Sequence, residues 1–223
     1  MTHAKRSRAL HPMPFVRIEL AVLAVADGVL QVLLGRREEA PHKGQWALPG
    51  GVLRIDQDVD LDAACRRVAQ ERLKLELAGA CLLTAVGGRG RDSRAPWALS
   101  VIYRCATTIE RLPAAPGKRM AELQWRDANE AVADARLAFD HARLVALAVQ
   151  RLRAEVEVLA FPPGLVDEPF TLGQLQAAAE AVLGRELDKS SFRRRLDAAG
   201  CVEAIPDEKR TGAFRPAQLY RLR

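Results

Sequence analysis

The fold of the first half of the chain is decided by WALPGG, residues 46–51, and by LDAACRRVAQERL, residues 61–73. The proline and the two glycines of WALPGG predict a tight turn, because these residues adopt backbone angles that other residues avoid. An ordinary turn would explain those three residues by themselves. In residues 61–73, the apolar residues that recur at helical spacing are Leu61, Ala64, Cys65, Val68 and Ala69. The combined stretch therefore predicts a loop that leads into a helix.

Strand patterns surround this loop and helix on both sides. Residues 15–24 and 29–35 are apolar runs, and Asp27-Gly28 between them is a strong signal for a hairpin turn. The other elements predicted here are strands at 79–86, 97–106 and 120–125, a Gly/Arg loop at 87–95, and helices at 128–135 and 141–156. The first half is therefore expected to mix strands and helices.

The composition changes at Phe161-Pro-Pro-Gly164, where two prolines and a glycine after a long helix predict a stop and a linker. The residues that mark helix ends beyond it are Thr171 and Asp188 as N-caps, and Gly184 and Gly200 as C-terminal glycines. Short strands are predicted at 202–205 and 218–222. This order of helix, turn, helix and two-stranded ribbon is that of a winged helix-turn-helix domain.

The second helix of this domain, residues 189–199, carries a basic surface. Phe192, Leu196 and Ala199 lie at i, i+4 and i+7 and are predicted to form its buried stripe. Arg195 lies next to this stripe, and the pattern is compatible with either a buried or an exposed side chain there. The helix would then enter the major groove, where arginine reads guanine. The predicted DNA contacts here and at the ribbon tip are Lys189, Ser190, Ser191, Arg193, Arg194, Lys209, Arg210 and Arg215.

A second interpretation competes with DNA binding. A run of three arginines is also typical of a solvated helix face, and a winged helix can bind protein. Basic and acidic residues nearly balance in residues 161–223, so the case for DNA depends on clustering on two adjacent elements. Binding that weakens steeply with salt would favour DNA over a protein partner.

The whole chain has 223 residues, of which 49% are hydrophobic and 28% charged. These values suit one or two globular domains and exclude wholesale disorder, collagen and coiled-coil arrays. No apolar run reaches about 18 residues, and no apolar signal segment follows the basic residues 1–8, so a cytoplasmic protein without a membrane partner is expected. The cysteines form no C-x-x-C pair and are predicted to be reduced and mostly buried: Cys65, Cys81, Cys105 and Cys201.

The loop and helix of the first half resemble the box of the Nudix hydrolase family, G-x5-E-x7-R-E-U-x-E-E-x-G-U, where U is aliphatic. Gly51, Arg67 and Glu71 match it, with two extra residues before Arg67. Four other box positions depart from the family's glutamates and glycine: they are Gln57, Val68, Arg72 and Lys74. Since the family holds Mg²⁺ through carboxylates on this helix, the resemblance implies a Nudix fold with no metal, no cofactor and no catalytic residue.

Both halves together resemble the Nudix-related transcriptional regulators of NAD metabolism. The stretches that carry this resemblance are GRREEAPHKGQWALPGG, LAFDHARLVALAVQRLR and FTLGQLQAAAEAVLGRELDKSSFRRRL. The resemblance implies a homodimeric repressor that binds a double-stranded DNA operator and senses ADP-ribose or a related NAD-derived metabolite. Two alternatives stay open: a sugar-sensing regulator of the same architecture, and a Nudix pyrophosphohydrolase acting on ADP-ribose.

The expected fold class is α+β, with a Nudix-fold α/β/α sandwich domain followed by a winged helix-turn-helix domain. The expected parts are a flexible basic tail over 1–12, a ligand-sensing domain over 13–160 that ends in a linker helix over 141–156, and a DNA-binding domain over 161–223.

The effector is expected in the cleft that serves as the active site in Nudix hydrolases. Arginine pairs with pyrophosphate, and Trp46 could stack on a base, although it also fits a core position. Arg72 could hold a phosphate where the family holds metal, and His141 could either relay the ligand state or make a structural hydrogen bond. The predicted ligand-binding residues are Arg37, Trp46, Gly50, Gly51, Glu71, Arg89 and Arg91.

Overall fold

The structure is a computed structural model that describes residues 13–210 and 217–223, without the side chains of 207–210. The predicted tail over 1–12, Arg215, and the side chains of Lys209 and Arg210 lie outside the described residues. In chain order the elements are β1 (Phe15–Ala26), β2 (Val29–Arg37), β3 (Trp46–Ala47), β4 (Gly50–Val52), α1 (Leu61–Leu73), β5 (Cys81–Arg89), β6 (Trp97–Thr107), β7 (Met120–Asp127), α2 (Ala128–Ala133), α3 (His141–Glu157), α4 (Leu172–Leu183), α5 (Lys189–Ala199), β8 (Val202–Arg210) and β9 (Ala217–Leu222).

In the described part of the chain, seven strands form one mixed sheet. The order is β3-β2-β1-β6-β5, with β4 also paired to β1 and β7 to β2. Strands β1 and β6 run parallel, and the other pairs are antiparallel. Asp27 and Gly28 join β1 to β2 with φ angles of 51° and 73°, and a type I′ hairpin turn requires positive φ at both positions. The predicted hairpin is confirmed.

Helices cover both faces of this sheet. Successive side chains of a strand point to opposite faces. Ile18 and Leu20 of β1 pack with Val68 of α1 on one face, while Ala21 and Leu23 belong to the core on the side of α3. This layering confirms the α/β/α sandwich expected for the first half.

The helix of the box resemblance, α1, has the predicted bounds. Asp60 caps its start, because the Asp60 carboxylate accepts a hydrogen bond from the backbone N–H of Ala63 at 2.6 Å. Lys74 ends it in the left-handed conformation, with φ of 57°, at the position where the Nudix box has glycine. A left-handed residue after a helix favours glycine, so the lysine departs from the box without changing the backbone path.

The second half forms the predicted winged helix. Thr171 and Gln174 make a reciprocal capping box at the start of α4, and Asp188 accepts from the backbone N–H of Ser191 at the start of α5. The ribbon β8–β9 follows. Phe192 and Leu196 are buried as predicted, but Ala199 is exposed, contrary to prediction. Ala199 lies in the last turn of α5, where the chain turns away toward β8.

The predicted Gly/Arg loop at 87–95 begins too early. Gly87, Gly88 and Arg89 pair with β6, so Arg89 is a strand residue. The glycine makes this pairing possible, because a Cβ at Gly87 would lie 2.5 Å from the ring of Trp97.

The two halves share one hydrophobic core. Phe170, Leu175 and Phe192 of the winged helix belong to the same buried cluster as Leu144 and Leu152 of α3. The connecting segment also packs closely on the sheet, since a Cβ at Gly164 would lie 2.4 Å from the carbonyl oxygen of Ala106. The segment that connects the halves is therefore packed against the sheet. The domain bounds that the sequence suggested stay a prediction.

No helix among residues 13–210 and 217–223 has the length and apolar character that crossing a membrane requires. Cys65 and Cys105 are buried, Cys201 is half-buried, and Cys81 is exposed on the edge strand β5, so burial holds for only part of the set.

Candidate functional site

Glu71, the one α1 carboxylate that matches the Nudix box, is ion-paired with arginine side chains. The Glu71 carboxylate accepts hydrogen bonds from Arg54 Nη1 at 2.8 Å and Nη2 at 3.3 Å, and from Arg67 Nη1 at 3.4 Å. Burial alone would raise the pKa of Glu71, but the hydrogen bonds and charge of Arg54, with the charges of Arg67 and Lys118, lower it. Glu71 is therefore a charged group whose oxygens are engaged by guanidinium groups.

Arg67, which matches the box arginine, ties the preceding loop to α1. Its Nε and Nη2 donate to the two carboxylate oxygens of Asp58 at 2.6 and 2.7 Å. Nη2 also donates to the carbonyl oxygen of Val52 at 2.9 Å. This bidentate pair lowers the pKa of Asp58.

Arg72 stands where the box has its second paired glutamate. The side chain is inside the protein, with the residue only 5% exposed. Its Nε donates to the carbonyl oxygen of Gly50 and its Nη1 to that of Lys118, both at 2.7 Å. Burial is the largest cause of the lowered pKa of Arg72. The Arg72 guanidinium is therefore shielded from water and donates to backbone carbonyl oxygens. None of its hydrogen bonds with the described residues goes to a carboxylate.

The Nudix fold raises the question of a divalent cation at this place. Mg²⁺ is held by several oxygen ligands, usually including carboxylates. Within the described residues, no three His, Cys, Asp or Glu side chains lie together in an arrangement that could hold a metal ion. Glu71 is engaged by two arginines, and the Gly50 carbonyl is taken by Arg72. The residues present do not fit a Nudix magnesium site.

Arg72 lines one of two pockets that share Arg17, and we call the two pockets together the arginine cleft. The arginines that line it are Arg17, Arg37, Arg72, Arg91, Arg94 and Arg119. Four of them are paired with carboxylates: Arg17 with Glu19, Arg91 with Asp140, Arg94 with Asp92, and Arg119 with Glu39. Arg37 and Arg72 make no ion pair with a carboxylate of the described residues.

Arg37 is held in the same way as Arg72. Its Nε donates to the carbonyl oxygen of Pro41 at 2.9 Å, and its Nη2 to that of Glu39 at 3.4 Å. Burial, followed by the charges of Arg17 and Arg94, lowers the pKa of Arg37 to about 10. Two cations that lack carboxylate partners in one pocket favour an anionic ligand.

Phe139 lies among these cations. The guanidinium carbons of Arg37, Arg17 and Arg94 are 5.0, 5.5 and 5.8 Å from its ring centroid. The His42 ring meets it edge-on at 4.5 Å. Phe139 has a φ of 57°, which is an outlier for a bulky residue. The surrounding contacts hold its ring in the cleft, two residues before the start of α3.

Glu19 and His141 line the pocket of the arginine cleft that Arg91 also lines. Glu19 is fully buried; its Oε1 accepts from Arg17 Nε at 2.6 Å, and its Oε2 has no hydrogen-bond partner among the described residues. Burial raises the pKa of Glu19. His141 Nδ1 accepts from the backbone N–H of Leu48 at 2.9 Å, which leaves the ring proton on Nε2, 3.8 Å from Glu19 Oε1. The structural hydrogen bond considered for His141 is therefore present.

The protein is expected to lose stability as the pH falls from about 6.5 toward 3. Burial, followed by the charge of Arg17, lowers the pKa of His141 from 6.5 to about 3. Between these values the unfolded chain binds a proton at position 141 and the folded protein does not. The free energy of unfolding should then fall by about 1.4 kcal/mol per pH unit from this group. Urea denaturation at pH 7 and pH 5 measures the slope.

Substitution identifies the group responsible for that slope. We expect His141→Gln to reduce the pH dependence, and His42→Gln, at an exposed histidine, to leave it as in the wild type. An unchanged slope in His141→Gln would show that other groups cause the loss of stability.

The structure brings together only some of the predicted ligand-binding residues. Arg37 and Gly50 line one pocket of the arginine cleft, and Arg91 lines the other. The rest lie outside its lining: Trp46 packs against the core, Gly51 faces Val68, Glu71 is bound to Arg54, and Arg89 is exposed at the end of β5. Ligand contact by any of these residues stays a prediction.

The cleft residues that sequence reasoning missed include Arg17, Glu19, Arg94, Arg119 and Phe139. Arg17 and Glu19 did carry a signal, because they are charged residues at alternate positions of an apolar strand, and buried charges in a strand mark a site. Arg94 and Phe139 lie in connecting segments and carried no local signal.

The predicted DNA-binding face of α5 is exposed. Lys189, Ser190, Arg193 and Arg194 are solvent-exposed and Ser191 is half-buried. Arg195, for which the sequence allowed either burial or exposure, is exposed and donates to the carbonyl oxygen of Glu157 at the end of α3. The face thus presents basic and hydroxyl groups at the N-terminal half of the second helix of the winged helix.

Known proteins resemble both halves. The NUDIX domain model matches residues 17–148, and the model of the NrtR DNA-binding winged helix domain matches residues 163–222. The protein of Acinetobacter baylyi named ADPR responsive transcriptional repressor NtrR is 33% identical over 218 residues, which cover 98% of this chain and 86% of that protein.

Solved structures give the same result. Shewanella oneidensis NrtR complexed with a 27mer DNA superposes with a TM-score of 0.78 and 30% identity over 93% of each chain. The NUDIX domain of Shewanella oneidensis NrtR complexed with ADP ribose superposes with a TM-score of 0.59 and 25% identity, over 68% of this chain and 99% of that one. By its sequence and by the order of its two domains, this chain belongs to the NrtR family of Nudix proteins with a C-terminal DNA-binding winged helix.

Proposed function

We propose that the protein is an ADP-ribose-responsive transcriptional repressor that binds operator DNA through α5 and the β8–β9 ribbon. The observation that carries the proposal is the position of α3, which is fixed to the arginine cleft at one end and to the winged helix at the other. A ligand in the cleft can therefore act on the DNA-binding half through one rigid element. We propose that the protein acts in the cytoplasm, because its operator DNA would lie there.

The first end of α3 is held by residues of the cleft. Asp140, directly before the helix, accepts from Arg91 Nη2 at 2.7 Å and from Nε at 2.9 Å. His141 accepts from the backbone of Leu48. A diphosphate that draws Arg91 away from Asp140 would release this end of the helix.

The second end of α3 is held by the winged helix. Arg185 Nη2 donates to both carboxylate oxygens of Glu157 at 2.8 Å, and Arg195 donates to the Glu157 carbonyl oxygen. Arg153 Nε donates to the carbonyl oxygen of Val182 at 2.9 Å. Movement of α3 would therefore be passed to α4 and α5.

The protein is proposed to act as a homodimer on a palindromic operator. Allostery requires two arrangements for which the ligand has different affinities. In a dimer, rotation of the two α3 helices changes the distance between the two α5 helices. That distance must match about one DNA turn, so the change alters operator affinity.

We also propose that the protein does not hydrolyse ADP-ribose. The supporting observations are the engaged Glu71 carboxylate and the guanidinium of Arg72 at the position of a box glutamate. Mg²⁺-dependent release of AMP from ADP-ribose, abolished by Glu71→Gln, would support the hydrolase instead. A sugar sensor is less well supported, because the cleft is lined by six arginines and a neutral sugar has no anionic group for them.

The test is fluorescence-anisotropy binding of the full chain to DNA upstream of its own gene, against random DNA, with and without ADP-ribose. We expect preference for the upstream DNA, a steep loss of binding with salt, and a change of about 5- to 150-fold with saturating ADP-ribose. Arabinose serves as the neutral-sugar control. No preference in a selected-sequence pool would overturn the regulator, and an affinity that ADP-ribose leaves unchanged would overturn the coupling.

A further inference from the structure

We infer that Arg72 supplies the positive charge that a divalent cation supplies in a metal-dependent Nudix site, so that this chain binds a nucleoside diphosphate without metal. The inference depends on the proposed function, since it concerns the same cleft. The disagreement between the Nudix fold and these residues is its starting point: an arginine stands where the box has a metal-binding carboxylate.

Arg72 is held at a fixed place by the backbone. Its Nε and Nη1 donate to the carbonyl oxygens of Gly50 and Lys118, which belong to two different segments. The guanidinium plane is thereby fixed before any ligand arrives. Nη2 makes no hydrogen bond with the described residues, and Arg72 lines the cleft. One N–H group of a buried cation is therefore available to a ligand.

Arg72 can bind an anion without first breaking an ion pair with a carboxylate of the described residues. The nearest carboxylate on α1, Glu71, is engaged by Arg54 and Arg67. Arg37 lines the same pocket and is likewise held only by carbonyls, with its Nη1 unused by the described residues. A diphosphate would gain two charge-assisted contacts here without breaking an ion pair at either arginine.

Gly50 makes room for this arrangement. A Cβ at position 50 would lie 1.7 Å from Glu19 Oε2 and 2.8 Å from the carbonyl oxygen of Ile18. The strand β4 therefore lies tightly on β1, and this packing fixes the carbonyl that Arg72 binds. A chelator removes a coordinated metal ion, but it leaves the charge of Arg72 in place.

The test is isothermal titration of the full chain with ADP-ribose, in excess EDTA and in millimolar Mg²⁺. We expect equal affinity in the two buffers. Arg72→Gln should weaken binding about 10- to 100-fold in both, the range of a lost charge-assisted hydrogen bond. Arg72→Glu should abolish binding in both buffers, because it places a negative charge where the diphosphate would lie, while Glu71 remains engaged by Arg54 and Arg67.

Matched controls separate binding from folding. Arg66→Gln changes an exposed arginine of the same helix and should bind as the wild type. Arg72→Lys retains the charge without the planar guanidinium and should weaken binding less than Arg72→Gln. Each variant must keep its thermal transition and its operator binding without ligand.

The outcomes distinguish this inference from the proposed function. Binding of ADP-ribose that requires Mg²⁺, or wild-type affinity in Arg72→Gln, would overturn the inference and leave the proposed function intact. No binding of ADP-ribose in either buffer would overturn both. Equal wild-type binding in the two buffers, with a weakened Arg72→Gln, supports the inference.

Discussion

Replacing Phe170 with alanine is expected to lower the free energy of unfolding by about 3–5 kcal/mol, as for other fully buried phenylalanines. Phe170 is 0% exposed and lies in the core shared by the two halves. Its backbone N–H and carbonyl pair with those of Tyr220 in β9. Because the core is continuous, the Nudix half should be destabilised together with the winged helix.

The measurement is urea denaturation followed by circular dichroism and by tryptophan fluorescence. All tryptophans lie in the Nudix half, at Trp46, Trp97 and Trp125, so fluorescence reports that half alone. Phe15→Ala, at a half-buried phenylalanine of β1 far along the chain from the winged helix, should cost less. A fluorescence transition that Phe170→Ala leaves in place would mean that the halves unfold independently.

Arg193→Ala is expected to reduce the preference for operator over random DNA, with a cost of about 1–3 kcal/mol on the operator. Arg193 is exposed on α5 and makes no hydrogen bond or ion pair with the described residues, so its loss should not destabilise the fold. A bidentate contact to guanine gives sequence preference, whereas a phosphate contact gives affinity for any DNA.

The control for this variant is Arg143→Ala, which removes an exposed arginine from α3 instead of α5. Anisotropy titrations of both variants on operator and random DNA give the two ratios. Equal losses on the two DNAs would assign Arg193 to a phosphate contact. A loss of the same size in Arg143→Ala would indicate a general effect of net charge.

The elements that the sequence predicted best are those whose ends are marked locally. Helix α5 has the predicted bounds because Asp188 caps it and Gly200 ends it, and both signals act within a few residues. Strand β5 was predicted less well, since its extension to Arg89 depends on pairing with Trp97 in β6. Exposure of Ala199 likewise depends on what packs against the end of α5, which periodicity does not describe.

Of the candidate site, the sequence identified the box positions and not the cleft. Arg37 and Gly50 line one pocket of the cleft and Arg91 lines the other, but Arg17, Glu19, Arg94, Arg119 and Phe139 were not predicted. The ion pair of Glu71 with Arg54 could not be predicted either, because the two residues lie 17 positions apart and meet only through the path of the loop before α1.

The sequence by itself determined the two-domain order, the strand and helix periods and the caps, because these follow from residue type and short-range spacing. The departures from the box carboxylates at Val68 and Arg72 are what the resemblance to the Nudix family implies. Only the tertiary structure decided which arginines meet and which are neutralised. The cleft is built from β1, β2, α1 and connecting segments more than a hundred residues apart in the chain. Charge pairing depends on distance in space, which no local pattern of the sequence contains.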